Sequence, residues 1–306
     1  HQLLQEYFAA KRLDREMTDG VPASDFWKPE AWWEPNQWNE TAILLAGLYS
    51  DDPTLVIRWL KDANPELTAR CINESGSATP ADEVLLELRE AWLQRLTDST
   101  EISPSRAGVG RALSKVSLSD GTLLDDRPGV GLNDGGLPDI VWSDVIPAGD
   151  YTIGGDSDAW YALDEQIVTL DYSYQLAKYP VTYKQFQAFI DAQDGIGHDD
   201  WWQDMADQQK EPFEQNSKHD NHPRENVSWY QAVAFCKWLT AKYRDAGLIL
   251  DDAEICLPRQ EEWEIAARYP DGRKYPYGNK PDATKMNISE TGIDQTSAVG
   301  MFPDGR

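Results

Sequence analysis

The stretch DDRPGVGLNDGGLPD, residues 125–139, is so dense in Gly, Pro and Asp that regular structure is disfavoured through it. A domain boundary is therefore expected here, at about residue 138. The two flanks read differently. Before it, apolar residues recur at helical spacing. From Ile140 onward, apolar and polar residues alternate, and helix signals follow later. A chain of 306 residues has room for two cores. The expected organisation is a helical region over 1–100, a linker over 101–139 in which SPSRAGVGRALS has a short helical look, and a second domain over 140–306. Strands first, then helices, then irregular loops gives that second part the class α+β.

Four apolar stripes are expected to face the core of the helical region. They are Leu4, Tyr7 and Phe8; Leu44, Leu45 and Leu48; Leu55, Trp59 and Leu60; and Leu85, Leu88, Trp92 and Leu96. Pro29, Pro35, Pro53, Pro65 and Pro80 read as breaks between them. FWKPEAWWEPNQW (26–38) reads as an ordered loop whose Trp residues cover the helices, with a ligand platform as the alternative.

In the second part, IVWSDVIPAGDYTIGG reads as a hairpin turning at Pro-Ala-Gly, and EQIVTLDYSYQLAKYPVT as a further strand region. Thr182 with Gln185, and Ser228 with Gln231, form capping boxes that open two helices, and Val181 and Phe186 stand at hydrophobic-staple positions. Ala232, Phe235, Cys236, Leu239 and Tyr243 line one face of the second helix. A third helix, RQEEWEIAARY, has acids in its first turn and an expected apolar stripe of Trp263, Ala266 and Ala267.

Composition narrows the function. A formal charge of −25 repels phosphate backbones and argues against nucleic acid as a partner. No apolar run approaches the roughly 18 residues of a membrane span. The three cysteines, Cys71, Cys236 and Cys256, form no C-x-x-C pair, which argues against zinc and disulfide frameworks and fits a reducing cytoplasm. Cys236 and Cys256 read as core residues, without the neighbouring His or basic cluster that favours a thiolate. Nor are they the paired thiols of a copper site.

The strings AKYPVTYKQFQAFI, NHPRENVSWYQAVAFCKWLTAKY, ICLPRQEEWEIAARYPDGRKYPYGN and NISETGIDQTSAVGMFPDGR stand in order over 140–306. Together they resemble the formylglycine-generating-enzyme, or sulfatase-modifying factor, family. The resemblance implies a C-type-lectin-like fold with little regular secondary structure. Some members oxidise a sulfatase cysteine, some are nonheme-iron sulfoxide synthases, and some are variable receptors of diversity-generating retroelements. The redox cysteines of the oxidases follow a G-x-x-D-M-x-G-N-V-W-E-W-like segment, and Arg306 stands just before the place of that segment. The Thr usual at the start of the L-P-T-E-A-E-W-E motif is Arg259 here. Separately, HQLLQEYFAAKRL resembles the H-x-x-x-Q-E-Y helix that closes the helical part of bacterial NACHT-type NTPases. No G-x-x-x-x-G-K-[ST] phosphate loop occurs in the chain.

The family resemblance also implies a Ca²⁺ site at Asn287, the Ile288 carbonyl and Asp294, oxygen ligands of the kind that ion prefers. His198 with Asp199 and Asp200, and His219 with His222, are weaker metal candidates. For the first group the family resemblance implies instead that the Trp201–Trp202 pair packs under a surface loop, and the second reads better as a segment shaping the chain before the Ser228 helix. Three functions remain open: a sensor module that binds a protein or small ligand and acts on an upstream NTPase domain, a formylglycine-generating oxidase whose cysteines lie further on, and an assembly scaffold.

Overall fold

Asn64 offers a side-chain acceptor and Pro65 needs no N–H partner, a pairing suited to starting a helix rather than breaking one. The protein is seen in a computed structural model that describes residues 2–157 and 163–305. His1 of the H-x-x-x-Q-E-Y sequence and the chain end at Arg306 lie outside the described residues. Asn64 accepts from the Leu67 N–H at 2.9 Å and opens a helix, Pro65–Glu74, where a break was expected. Among the described residues, helices and one small antiparallel sheet give the class α+β. It divides into two units: His1–Asp126 with Asn287–Met301, and Arg127–Met286 with Phe302–Arg306.

The first unit holds α1 (Gln2–Thr18), α2 (Asn39–Leu48), α3 (Thr54–Leu60), α4 (Pro65–Glu74), α5 (Asp82–Thr97) and α6 (Ser103–Leu113). The expected α5 stripe of Leu85, Leu88, Trp92 and Leu96 is fully buried. The other stripes are corrected. Helix α1 buries Ala10, Leu13 and Met17, while Leu4, Tyr7 and Phe8 are exposed. Helix α2 buries Ala42, Ile43, Leu45 and Ala46 and exposes Leu48; α3 buries Val56, Ile57 and Leu60 and exposes Leu55. These helices are apolar on more than one side, so spacing alone does not choose the face. Packing of α1 on α2, and of α2 on α4, makes that choice.

Within the expected linker, α6 packs against α4 and α5. A Cβ at Gly108 would stand 2.6 Å from the Trp32 ring, so glycine is what lets the indole lie on the helix. Trp32 donates its indole N–H to Ser105 Oγ at 2.6 Å, and Trp27 donates to Asn39 Oδ1 at 2.8 Å. Both rings are buried, as the covering role for residues 26–38 required.

In the second unit, β1 (Gly149–Ile153) pairs antiparallel with β2 (Gln166–Leu170), Gly149 opposite Leu170 and Ile153 opposite Gln166. Bridges from Ile146 to Tyr174 and from Trp142 to Ala177 continue the same pairing. This corrects the hairpin expected within 140–155. That whole segment is one arm, and Pro147-Ala148 lies along it. Alternation identifies a strand but not its partner, which the ladder supplies.

Helix α7 (Tyr183–Asp191) begins at Thr182 and α8 (Trp229–Asp245) at Ser228, each with the expected capping box complete. Phe186 and Phe189 of α7 meet Phe235 and Trp238 of α8 with ring centroids 5.3–5.8 Å apart, and Trp202 and Leu239 join the same core. Helix α9 (Gln260–Arg268) buries Ile265 and Glu262 and leaves Trp263 60% exposed, correcting its expected stripe. Arg259 has no acceptor to cap the helix, but Glu262 keeps its half of a capping box, accepting from the Arg259 N–H at 2.6 Å. Among the described residues no helix is long and apolar enough to cross a membrane.

Candidate functional site

A cysteine does redox or metal chemistry as its thiolate, so its surroundings decide its use. Cys71 on α4 and Cys236 on α8 are buried, and burial pushes each thiol up to about 12. Cys256 was expected in the core but is exposed, because the segment after α8 runs at the surface. Desolvation by its neighbours, then Glu254 and Glu262, raise its thiol as well. None of the three is an activated nucleophile. At about pH 8, iodoacetamide is expected to label Cys256 in the native protein, with Cys71 and Cys236 labelled only after denaturation. Peptide mass spectrometry reads the result, and native labelling of Cys236 would contradict its burial.

The KHDNHP segment places the His219 and His222 rings with centroids 4.6 Å apart, His222 fully buried. Its backbone does structural work. The Tyr183 N–H donates to His222 O at 2.8 Å, the Lys184 N–H to Asp220 O at 3.2 Å, and Thr182 bridges to Pro223. The segment thus supports the start of α7 as it runs toward the Ser228 helix. His198 Nδ1 lies 3.6 Å from Asp200 Oδ2. Asp199 is paired with Lys210, which holds its carboxyl below the usual range. Trp202 is buried beside them and donates to Ile196 O at 2.8 Å, and Trp201 to Asp194 O at 2.6 Å. Among the described residues no three His, Cys, Asp or Glu side chains gather as a metal-binding group.

The loop 287–297 brings oxygen atoms together. Asn287 Nδ2 donates to Gln295 O at 2.8 Å and to Ser297 Oγ at 3.3 Å, which closes the loop. Asp294 is exposed, at a φ of 55° that Asp tolerates better than most side chains. The Thr291 hydroxyl donates to Ile288 O at 2.6 Å and lies 3.4 Å from Asn287 Oδ1. Two of the three oxygens in the expected Ca²⁺ set thus converge on one hydroxyl. An all-oxygen set on a loop fits a hard cation. Thr291 went unread in the sequence, since an irregular loop has no periodicity to mark it.

A family model described as "Sulfatase-modifying factor enzyme 1-like domain" matches residues 138–304. The chain is 28% identical over 172 residues to "Uncharacterized protein YfmG" of Bacillus subtilis (strain 168), covering 52% of this chain and 27% of that protein. It is 33% identical over 92 residues to "Inactive C-alpha-formylglycine-generating enzyme 2" of Bos taurus, covering 26% of each. The chain therefore spans about a quarter of the length of these curated relatives.

Proposed function

This chain belongs to the sulfatase-modifying factor enzyme 1-like family, and from that premise we propose that it is a ligand-binding module rather than an oxidase. Within the residues present, the observation that supports the reading is that none of the cysteines is paired or activated. Cys71 and Cys236 are buried with their thiols pushed up to about 12, the opposite of what a nucleophilic or copper-binding cysteine needs. The bovine relative is itself described as inactive. In this reading the domain has the C-type-lectin-like fold of its family and uses loops to bind a protein or small ligand, as the receptors of diversity-generating retroelements do.

Asn287, Ile288 and Asp294 would hold Ca²⁺, which would supply positive charge to fasten an acidic loop. The N-terminal helices would be the tail of a bacterial NACHT-type NTPase upstream, resting on the Q-E-Y sequence at the start of α1. Three free cysteines suit a cytoplasmic setting. Family membership alone favours the alternative, an oxidase with its cysteines beyond Arg306. The exposed Leu4, Tyr7 and Phe8 favour a scaffold.

The test is turnover. The protein is incubated with a cysteine-containing sulfatase peptide, copper and oxygen, and the peptide is analysed for the formylglycine aldehyde by mass spectrometry. An unchanged peptide is expected; aldehyde formation would overturn the binding-module reading.

A further inference from the structure

Residues 287–301 lie inside the stretch matched by the family model, yet they are built into the helical unit. Ile293, Ala298, Val299 and Met301 are buried although the segment has no regular structure beyond a single turn at Ser289–Thr291. The segment is tied to α6 at Ala298 and at the Met301 carbonyl. A Cβ added at Gly110 would stand 2.8 Å from the Ala298 Cβ, closer than real side chains approach. Arg106, one turn earlier on α6, is 1% exposed. Its Nε donates to Leu96 O, in the last turn of α5, at 3.0 Å, and its Nη2 donates to Met301 O. A buried guanidinium needs such partners to offset the loss of water, so the network resists piecemeal opening. At the other end of the segment Thr291 is buried, and Gly292 stands close to Pro104 in the first turn of α6.

We infer that residues 287–301 and helices α5 and α6 open and close as one cooperative unit, so that a ligand held by the 287–294 loop is a ligand of the helices. Any molecule that binds only the closed loop stabilises α5 and α6 by the same free energy, and loosening α6 weakens the loop's affinity in return. The Ca²⁺ part of this inference rests on the proposed loop site; the packing part does not.

Hydrogen exchange of the full chain, read by peptide mass spectrometry, tests both parts. Gly110→Ala is expected to speed exchange about tenfold in 103–113 and 287–301 together. Adding Ala298→Gly removes the opposing methyl and is expected to restore both. Faster exchange in 287–301 with 103–113 unchanged would overturn the inference, as would failure of the double variant to recover while its far-ultraviolet dichroism stays native. Ca²⁺ alone is expected to slow exchange in both segments, and Asp294→Ala to remove that effect. Protection of the loop without α6 would overturn the linkage. Protection of neither would remove the loop site, while the Gly110 and Ala298 variants would still decide the packing.

Discussion

Trp238→Ala is expected to destabilise the protein by about 3–5 kcal/mol, the range for removing a large aromatic from a closed core. The ring is 2% exposed and touches Phe189 at 5.3 Å and Phe235 at 5.9 Å between centroids. Those rings in turn pack on Phe186, so the cavity would open at the junction of α7 and α8, where aromatic shapes cannot slide to fill it. Urea denaturation followed by circular dichroism measures the loss. Trp263→Ala is the control. That ring is 60% exposed on α9 and should change stability by less than about 0.5 kcal/mol. Equal losses from the two variants would contradict the orientation of α9.

Gln185→Leu should cost roughly 2–4 kcal/mol, more than a helix cap is worth, because two buried backbone groups and one half-buried one lose their partner. Gln185 is 1% exposed. Its Oε1 accepts from the Thr182 N–H at 3.0 Å, closing the capping box, and its Nε2 donates to Asp139 O at 2.6 Å and Gly129 O at 3.2 Å. Gln185→Glu separates the two duties. A capping box accepts Glu as readily as Gln, so if capping were the whole role the variant would be close to neutral. The structure gives Nε2 two acceptors, and Glu would leave both unpaired beside a buried carboxylate. Gln185→Glu is therefore expected to be as damaging as Gln185→Leu at pH 7 in thermal unfolding. A near-neutral Glu variant would reduce Gln185 to a cap. Gln231 is built alike, its Nε2 donating to Gln209 O at 3.1 Å and Glu211 O at 3.0 Å.

The candidate sites were legible to different depths for related reasons. Asn287, Ile288 and Asp294 were named through a family resemblance, and the loop draws Asn287 and Ile288 to one hydroxyl. Thr291, the residue that draws them, carried no signal. The aromatic stretch 26–38 was readable as a cover, but the glycine that receives Trp32 lies on α6, far along the chain. His222 looked like a ligand or a turn residue; its backbone oxygen at the start of α7 gives it a structural part.

The sequence by itself determined those features whose physics is local. Thr182 with Gln185 and Ser228 with Gln231 start helices because their bonds close within three residues. Leu85, Leu88, Trp92 and Leu96 share a face because helical geometry puts them there. Tertiary structure alone decided which side of α1 is buried, that 140–155 pairs with 166–177 rather than with itself, and that residues 287–301 complete a core begun by helices from the other end of the chain. Each of those choices depends on which surface meets which, and neither a repeat nor a cap within one segment can encode a partner that lies outside it.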